Sequence, residues 1–229
     1  MKKNFLIANF LVIVMLTPLH AQESWTEIGL YAFMTGIDGD AGIGNVTTDV
    51  DISFSDILDN LDIGGMGFVE HRRGKWVFIG DVAYLKVSAE NTISRTPVTS
   101  VTLDAEFSQT LVEGFVGYRV FTQSKGKSQF GIDFLGGVRY NKIEVELSAE
   151  ASILGLTTSA SRNPDKDWVD GVAALRAQYD HGNGWGVSAW GDIGEGSDSS
   201  SYQLLGAVNY LFENNIKIFC GYRFYHLEY

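Results

Sequence analysis

The chain has 229 residues, a formal charge of −11, 45% hydrophobic and 13% aromatic residues, 26 Gly and only 3 Pro. That is length enough for one buried core and too apolar for a disordered chain. One cysteine, Cys220, excludes a disulfide framework and a cysteine zinc site, and the acidic balance with no long basic patch argues against nucleic-acid binding. A mean hydropathy of +0.01 is far below that of a helical membrane protein but compatible with a membrane β-barrel, in which only alternate residues meet lipid.

Residues 1–21 have the layout of a secretory signal. Lys2 and Lys3 form a positive start, the run Phe5 to Leu16 is apolar, and Pro18 and Ala21 follow, so cleavage is expected after Ala21. The run is short for a membrane-spanning helix, and no cysteine follows it for lipid attachment. Its removal takes away two lysines and no acids and leaves a charge of −13. Residues 22–229 then form one domain.

From there the pattern has period two. Nine strands are predicted at 25–37, 62–72, 75–88, 101–119, 128–148, 166–180, 184–194, 201–212 and 215–228. In the fifth, Phe130, Ile132, Phe134, Val138 and Tyr140 share one face, and Asp133, Gly137, Arg139 and Asn141 the other. The connections alternate between longer loops (38–61, 89–100, 149–165, 195–200) and tight turns at 72–75, 122–127, 181–184 and 213–215. The apolar faces end in aromatics near the tight turns: Trp76, Phe130, Tyr179, Trp185 and Phe212. Gly74-Lys75-Trp76 leading to Asp81 and Asn183-Gly184-Trp185 leading to Asp192 repeat one arrangement, with Trp and Asp on opposite faces. The expectation is all-β: a single antiparallel up-and-down transmembrane β-barrel in the outer membrane, with aromatic girdles, long outer loops and tight periplasmic turns. A soluble lipocalin-like barrel is the alternative, but its outward face should be richer in Lys, Glu and Thr.

Several words in the chain support a resemblance. They are Thr48-Asp49-Val50-Asp51-Ile52-Ser53-Phe54-Ser55-Asp56-Ile57-Leu58-Asp59-Asn60-Leu61-Asp62, Glu70-His71-Arg72-Arg73-Gly74-Lys75-Trp76, Asp167-Trp168-Val169-Asp170 and Gly221-Tyr222-Arg223-Phe224. With the strand pattern they resemble a family of poorly characterised Gram-negative outer-membrane β-barrel proteins, grouped loosely with porins and OmpA-like barrels. The resemblance implies location and fold and brings no reaction or ligand. Members of that family continue past the Gly-Tyr-Arg word with another loop and a closing strand.

The polar faces put Glu27, Asp62, Glu70, Arg72, Asp81, Glu113, Arg119, Asp133, Arg139, Asp170, Arg176, Asp192, Lys217 and Arg223 in the lumen. They read either as a pore lining that selects solutes by charge or as a salt-bridge network filling a narrow barrel. A barrel of about eight strands is just filled by its side chains, so a wide diffusion porin is not expected. Ser55 can cap a short helix, with Asp56, Ile57, Leu58 and Leu61 forming a plug or lid over the mouth or a stiff rim loop. Asp38, Asp40, Asp49 and Asp51 are oxygen ligands of the kind calcium takes, without the EF-hand spacing. For an outer-membrane hydrolase, only His226 falls near the outer end, beside the loop holding Ser197, Ser199, Ser200 and Ser201.

The expected function is a small porin-like barrel with a narrow or gated polar lumen; the alternative is a closed structural or loop-display barrel of the envelope. No enzyme activity, cofactor or resident metal is expected. Expected partners are outer-membrane lipid and lipopolysaccharide, with periplasmic chaperones and the barrel-assembly machinery during insertion; the sequence sets no oligomeric state. Nine strands would leave the first and last parallel, whereas single-chain bacterial barrels have an even count with both ends in the periplasm. An open seam between strands one and nine is therefore expected, with a ten-stranded barrel lacking its closing strand. An eight-stranded barrel with one strand misread is the alternative.

Overall fold

The computed structural model describes the backbone of residues 4–16, 24–43, 46–52, 61–96, 99–153 and 156–228, and side chains mainly over 24–31, 64–88, 106–146 and 161–228. Among the described residues there are twelve strands: β1 Asn4–Leu16, β2 Ser24–Ile43, β3 Val46–Ile52, β4 Leu61–Arg73, β5 Trp76–Thr96, β6 Thr99–Lys125, β7 Ser128–Ile153, β8 Leu156–Arg162, β9 Asp165–Asp180, β10 Trp185–Glu195, β11 Ser200–Leu211 and β12 Lys217–Glu228. Every pairing is antiparallel. β3 and β8 lie off the ring, on β2 and β7. The other ten close on themselves, because β1 pairs with both β12 and β2.

The first and last of the nine expected strands, β2 and β12, do not pair with each other, and the expected signal segment fills the gap between them. The nine strands expected from residues 22–229 are all present, and the place between the last and the first is taken by residues 4–16. Asn4 to Val14 pair with Glu228 to Ile218, and Phe5 to Leu16 pair with Gly39 to Ile28. The physical reason is backbone satisfaction. Two sheet edges with unpaired N–H and C=O groups accept any β-prone segment of the right length. Tyr229 lies outside the described residues.

Three of the expected long loops are corrected, in part. The strands run on past the barrel rim as hairpins: β2 into β3, β5 into β6, and β7 into β8. Thr- and Val-containing stretches such as Thr99 to Thr102 keep a strand-like pattern, and pairing satisfies backbone groups that a loose loop leaves to water. The short connections are tight. Gly74, Gly126, Gly182 and Gly184 all have positive φ, which glycine adopts without steric cost.

The faces are inverted relative to a water-soluble β protein. Phe134 and Val138 are 53% and 57% exposed, whereas Asp133 and Arg139 on the same strand are 0% exposed. Leu175, Leu204, Ile193 and Tyr222 are likewise exposed, and Arg176, Gln203, Asp192 and Arg223 buried. At the tight-turn end the outer face carries packed aromatics: Trp76 on Tyr118, Trp185 on Tyr210, Tyr210 on Phe212 and Phe121 on Phe130. Toward the other end the outer face changes from Val82, Val112 and Val138 to the ion pairs Lys86–Glu106 (2.7 Å) and Lys142–Glu144 (2.6 Å). The stretch from Phe130 to Tyr140 thus matches the roughly 9–11 residues of a tilted transmembrane strand. An apolar belt outside, aromatics at its edge and charge inside make this an outer-membrane type of β-barrel.

Candidate functional site: two charged layers in the lumen

Three neighbouring strands repeat one inward sequence. From the tight-turn end, β6 reads Arg119, Gly117, Phe115, Glu113; β7 reads Asp133, Leu135, Gly137, Arg139; β9 reads Arg176, Ala174, Val172, Asp170. The register places Arg119, Asp133 and Arg176 side by side, and Glu113, Arg139 and Asp170 side by side. One row is therefore plus-minus-plus and the other minus-plus-minus. Opposite charges directly across strands stabilise each other.

In the first row Asp133 is the hub. Arg72 donates to its carboxylate at 2.8 and 3.3 Å, Arg176 at 2.9 and 3.1 Å, and Arg119 through Nε and, at 3.2 Å, Nη2. Arg176 also donates end-on to Glu70, through Nη1 at 2.6 Å and Nη2 at 2.8 Å, and Arg119 donates to Gln178 at 2.8 Å. Lys217 pairs with Glu27 at 2.5 Å. Gly131 makes room for this arrangement, because a Cβ there would overlap Arg119 Nη1.

Between the rows lies an apolar collar of Val77, Phe115, Leu135, Val172 and Ala174, with Ile79 and Trp190 packed on it. Small residues let large ones fill the bore. A Cβ on Gly117 would meet Leu135 and Val77 at 2.6 and 2.7 Å, and one on Gly137 would meet Phe115 at 2.5 Å. Burial of the larger of these side chains stabilises by roughly 1.5–3 kcal/mol each.

In the second row Arg139 is the hub. It donates to Glu113 through Nε, to Asp192 at 3.0 Å and to Ser201 at 3.0 Å, and its guanidinium lies 5.2 Å from the Tyr225 ring centre. Asp192 also accepts from Trp190 Nε1 at 2.6 Å and Gln203 at 2.9 Å. Arg223 is 3.8 Å from Glu113. Tyr31 donates to Asp81 at 2.6 Å, and Ser199 donates to Asp170.

Of the lumen set expected from sequence, Glu27, Glu70, Arg72, Glu113, Asp133, Arg139, Asp170, Arg176, Asp192 and Arg223 are buried. Asp81, Arg119 and Lys217 are half-buried inward members of the same networks. Asp62 falls in β4, but its side chain is not among those described. Leu61 opens β4; Ser55, Asp56, Ile57 and Leu58 lie outside the described residues, so the plug or lid falls there too. Asp38 and Asp40 stand opposite Asp51 and Asp49 across β2 and β3, their side chains likewise undescribed. Among the described residues, no group of three or more His, Cys, Asp or Glu is placed to hold a metal ion. His226 lies 3.4 Å from Glu228, and Ser199 and Ser201 are taken up by Asp170 and Arg139. Sequence reasoning missed Tyr31, Trp190, Gln203 and Tyr225 as partners of the charges. Each shares the parity of a charged neighbour on its own or the adjacent strand, which is the signal that would have found them.

A cavity of about 480 Å³ occupies the half of the lumen toward the tight turns, with residues from each of the nine ring strands other than β1 around it. Gln129, Asp180 and Asn215 lie at its turn-side end, and it reaches as far as Glu113 and Arg223.

No protein-family model and no curated protein matches the chain. Three solved structures are similar in part. The translocator domain of autotransporter NalP from Neisseria meningitidis is 10% identical with a TM-score of 0.47, covering 98% of this chain and 88% of that one. Ail, the attachment invasion locus protein of Yersinia pestis, solved with the heparin analogue sucrose octasulfate, is 11% identical with a TM-score of 0.32 and full coverage of both chains. A BenF-like porin from Pseudomonas fluorescens is 9% identical with a TM-score of 0.20, covering 99% and 97%. With TM-scores below 0.5 these likenesses add nothing to the barrel assignment, which rests on strand pairing and burial.

Proposed function

We propose that this chain is a small porin-like barrel of the Gram-negative outer membrane, with a narrow lumen gated at the Arg139 layer. The observation that carries this reading is the cavity, edged by charged side chains, that enters from the tight-turn end and stops at Glu113 and Arg223. The tight turns then face the periplasm and the extended hairpins face outward. Residues 1–21 direct export, and their removal takes β1 out of the ring; the apolar belt meets lipid and lipopolysaccharide after delivery by periplasmic chaperones and the assembly machinery.

The buried, multiply bonded Arg139 also supports the second reading, a closed structural or loop-display barrel. Planar-bilayer recording separates the two. A gated pore gives rare, small, discrete openings, and Arg139→Ala makes them more frequent. A bilayer that stays silent with both proteins favours the closed barrel.

A further inference from the structure

The charges lining the cavity balance overall, five acids against five bases, but they are sorted along its length. Its turn-side layer holds three guanidiniums, Arg72, Arg119 and Arg176, against two carboxylates, Asp133 and Glu70; Lys217 and Glu27 neutralise each other beside it. Asp180, at the mouth, is exposed and accepts from the turn N–H of Gly182, so water screens it. The deeper layer has the opposite balance, with Asp81, Glu113, Asp170 and Asp192 against Arg139 and Arg223. One cation in the turn-side layer is thus in excess, facing a space large enough for a small solute, and Asp81 and Glu113 line its inner end. Arg119 uses Nε and Nη2 on Asp133 and Gln178, while its Nη1 lies over the bare backbone of Gly131 at the cavity wall. Trp25, which lies under the Arg72 guanidinium at 5.9 Å, lines the same space.

We infer that the turn-side vestibule is a binding site for a small oxyanion, a carboxylate or phosphate, docked on Arg119 and Arg72 beside Trp25. A planar guanidinium matches two oxyanion oxygens, and low-dielectric walls focus its field on the solute. The acidic surplus of the deeper layer repels the same anion, so the site retains it rather than passing it on. This occupancy does not depend on whether the Arg139 layer ever opens, and it is measured without a conductance readout.

The test uses the full chain in nonionic detergent micelles and the fluorescence that Trp25 contributes, taken as the difference from Trp25→Phe. Iodide and caesium serve as quenchers at matched ionic strength. Iodide should quench Trp25 on the order of threefold more strongly than caesium, from the local enrichment of anions. Arg119→Gln should abolish the preference and Arg119→Lys should keep it, which separates loss of charge from loss of fold. Inorganic phosphate and acetate, added as competitors, should each protect Trp25 from iodide, and the stronger protector identifies the preferred oxyanion. Equal quenching by the two ions overturns the assignment, as does a preference that survives Arg119→Gln or an absence of protection by both competitors.

Discussion

Arg139 and Asp170 stand directly opposite each other on β7 and β9, both shielded from solvent, yet the guanidinium bonds Glu113 and Asp192 instead. Asp170 is left with Ser199 on one oxygen and no partner on Oδ2 among the described residues. A buried carboxylate in that state is costly. Asp170→Asn should therefore be close to neutral or stabilising, whereas Glu113→Gln, which strips Arg139 of its charged Nε partner, should destabilise by about 3–5 kcal/mol. Urea unfolding in lipid vesicles checks the pair.

Asp133 is the reverse case, one carboxylate shared by three arginines. Asp133→Ala leaves those guanidiniums facing one another with only Glu70 close by. The expected loss is again about 3–5 kcal/mol by the same unfolding measurement. A variant as stable as the parent would show that the lumen is wetter than its burial indicates.

Phe134 tests the lipid face. Phe134→Arg, at this exposed mid-strand position, should cost about 2–4 kcal/mol in a bilayer. In a soluble barrel the same change is a surface substitution within about 0.5 kcal/mol. The alternation on which this rests was legible in the sequence, because residues of β7, β9, β11 and β12 switch between apolar and polar faces at every second position. The faces and the nine strands followed from parity alone. What parity could not give was partner choice. Asp133 gathering Arg72 from β4, or Arg139 reaching Asp192 on β10, depends on how the closed ring brings distant strands together across the bore. Nor could it show residues 4–16 in the seam, since a uniformly apolar run has no period to read.

Gly131→Ala probes the tight fit of the turn-side charged layer. The new methyl must push Arg119 off β7, and the flexible guanidinium can yield, so the loss should be about 1–3 kcal/mol. Gly136→Ala, where a Cβ would meet nothing within 4 Å, is the control and should be neutral by the same assay.

Above the belt, Glu144 accepts a hydrogen bond from Lys142, which holds its carboxyl below the usual glutamate range against the opposing effect of desolvation. A carboxyl lowered in the folded state adds stability that is present above its unfolded value and lost as pH falls through the folded one. Carbon-detected NMR titration should find Glu144 below an ordinary glutamate, and Lys142→Met should move it back up. An unchanged midpoint in that variant would remove Lys142 as the cause.

β2 and β12 both run antiparallel to β1, so they run parallel to each other. That direction is an arithmetic constraint on the wall. Without residues 4–16, any antiparallel insert between these two strands must supply an odd number of passes, and one pass is the least that restores the ring. The only closure with no insert at all is a direct parallel seam, whose slanted hydrogen bonds are weaker per residue than those everywhere else around the barrel. Amide exchange in Lys217–Glu228 and Ser24–Ile43 would then outrun exchange in β7 and β9, making this line the place where the cylinder unzips.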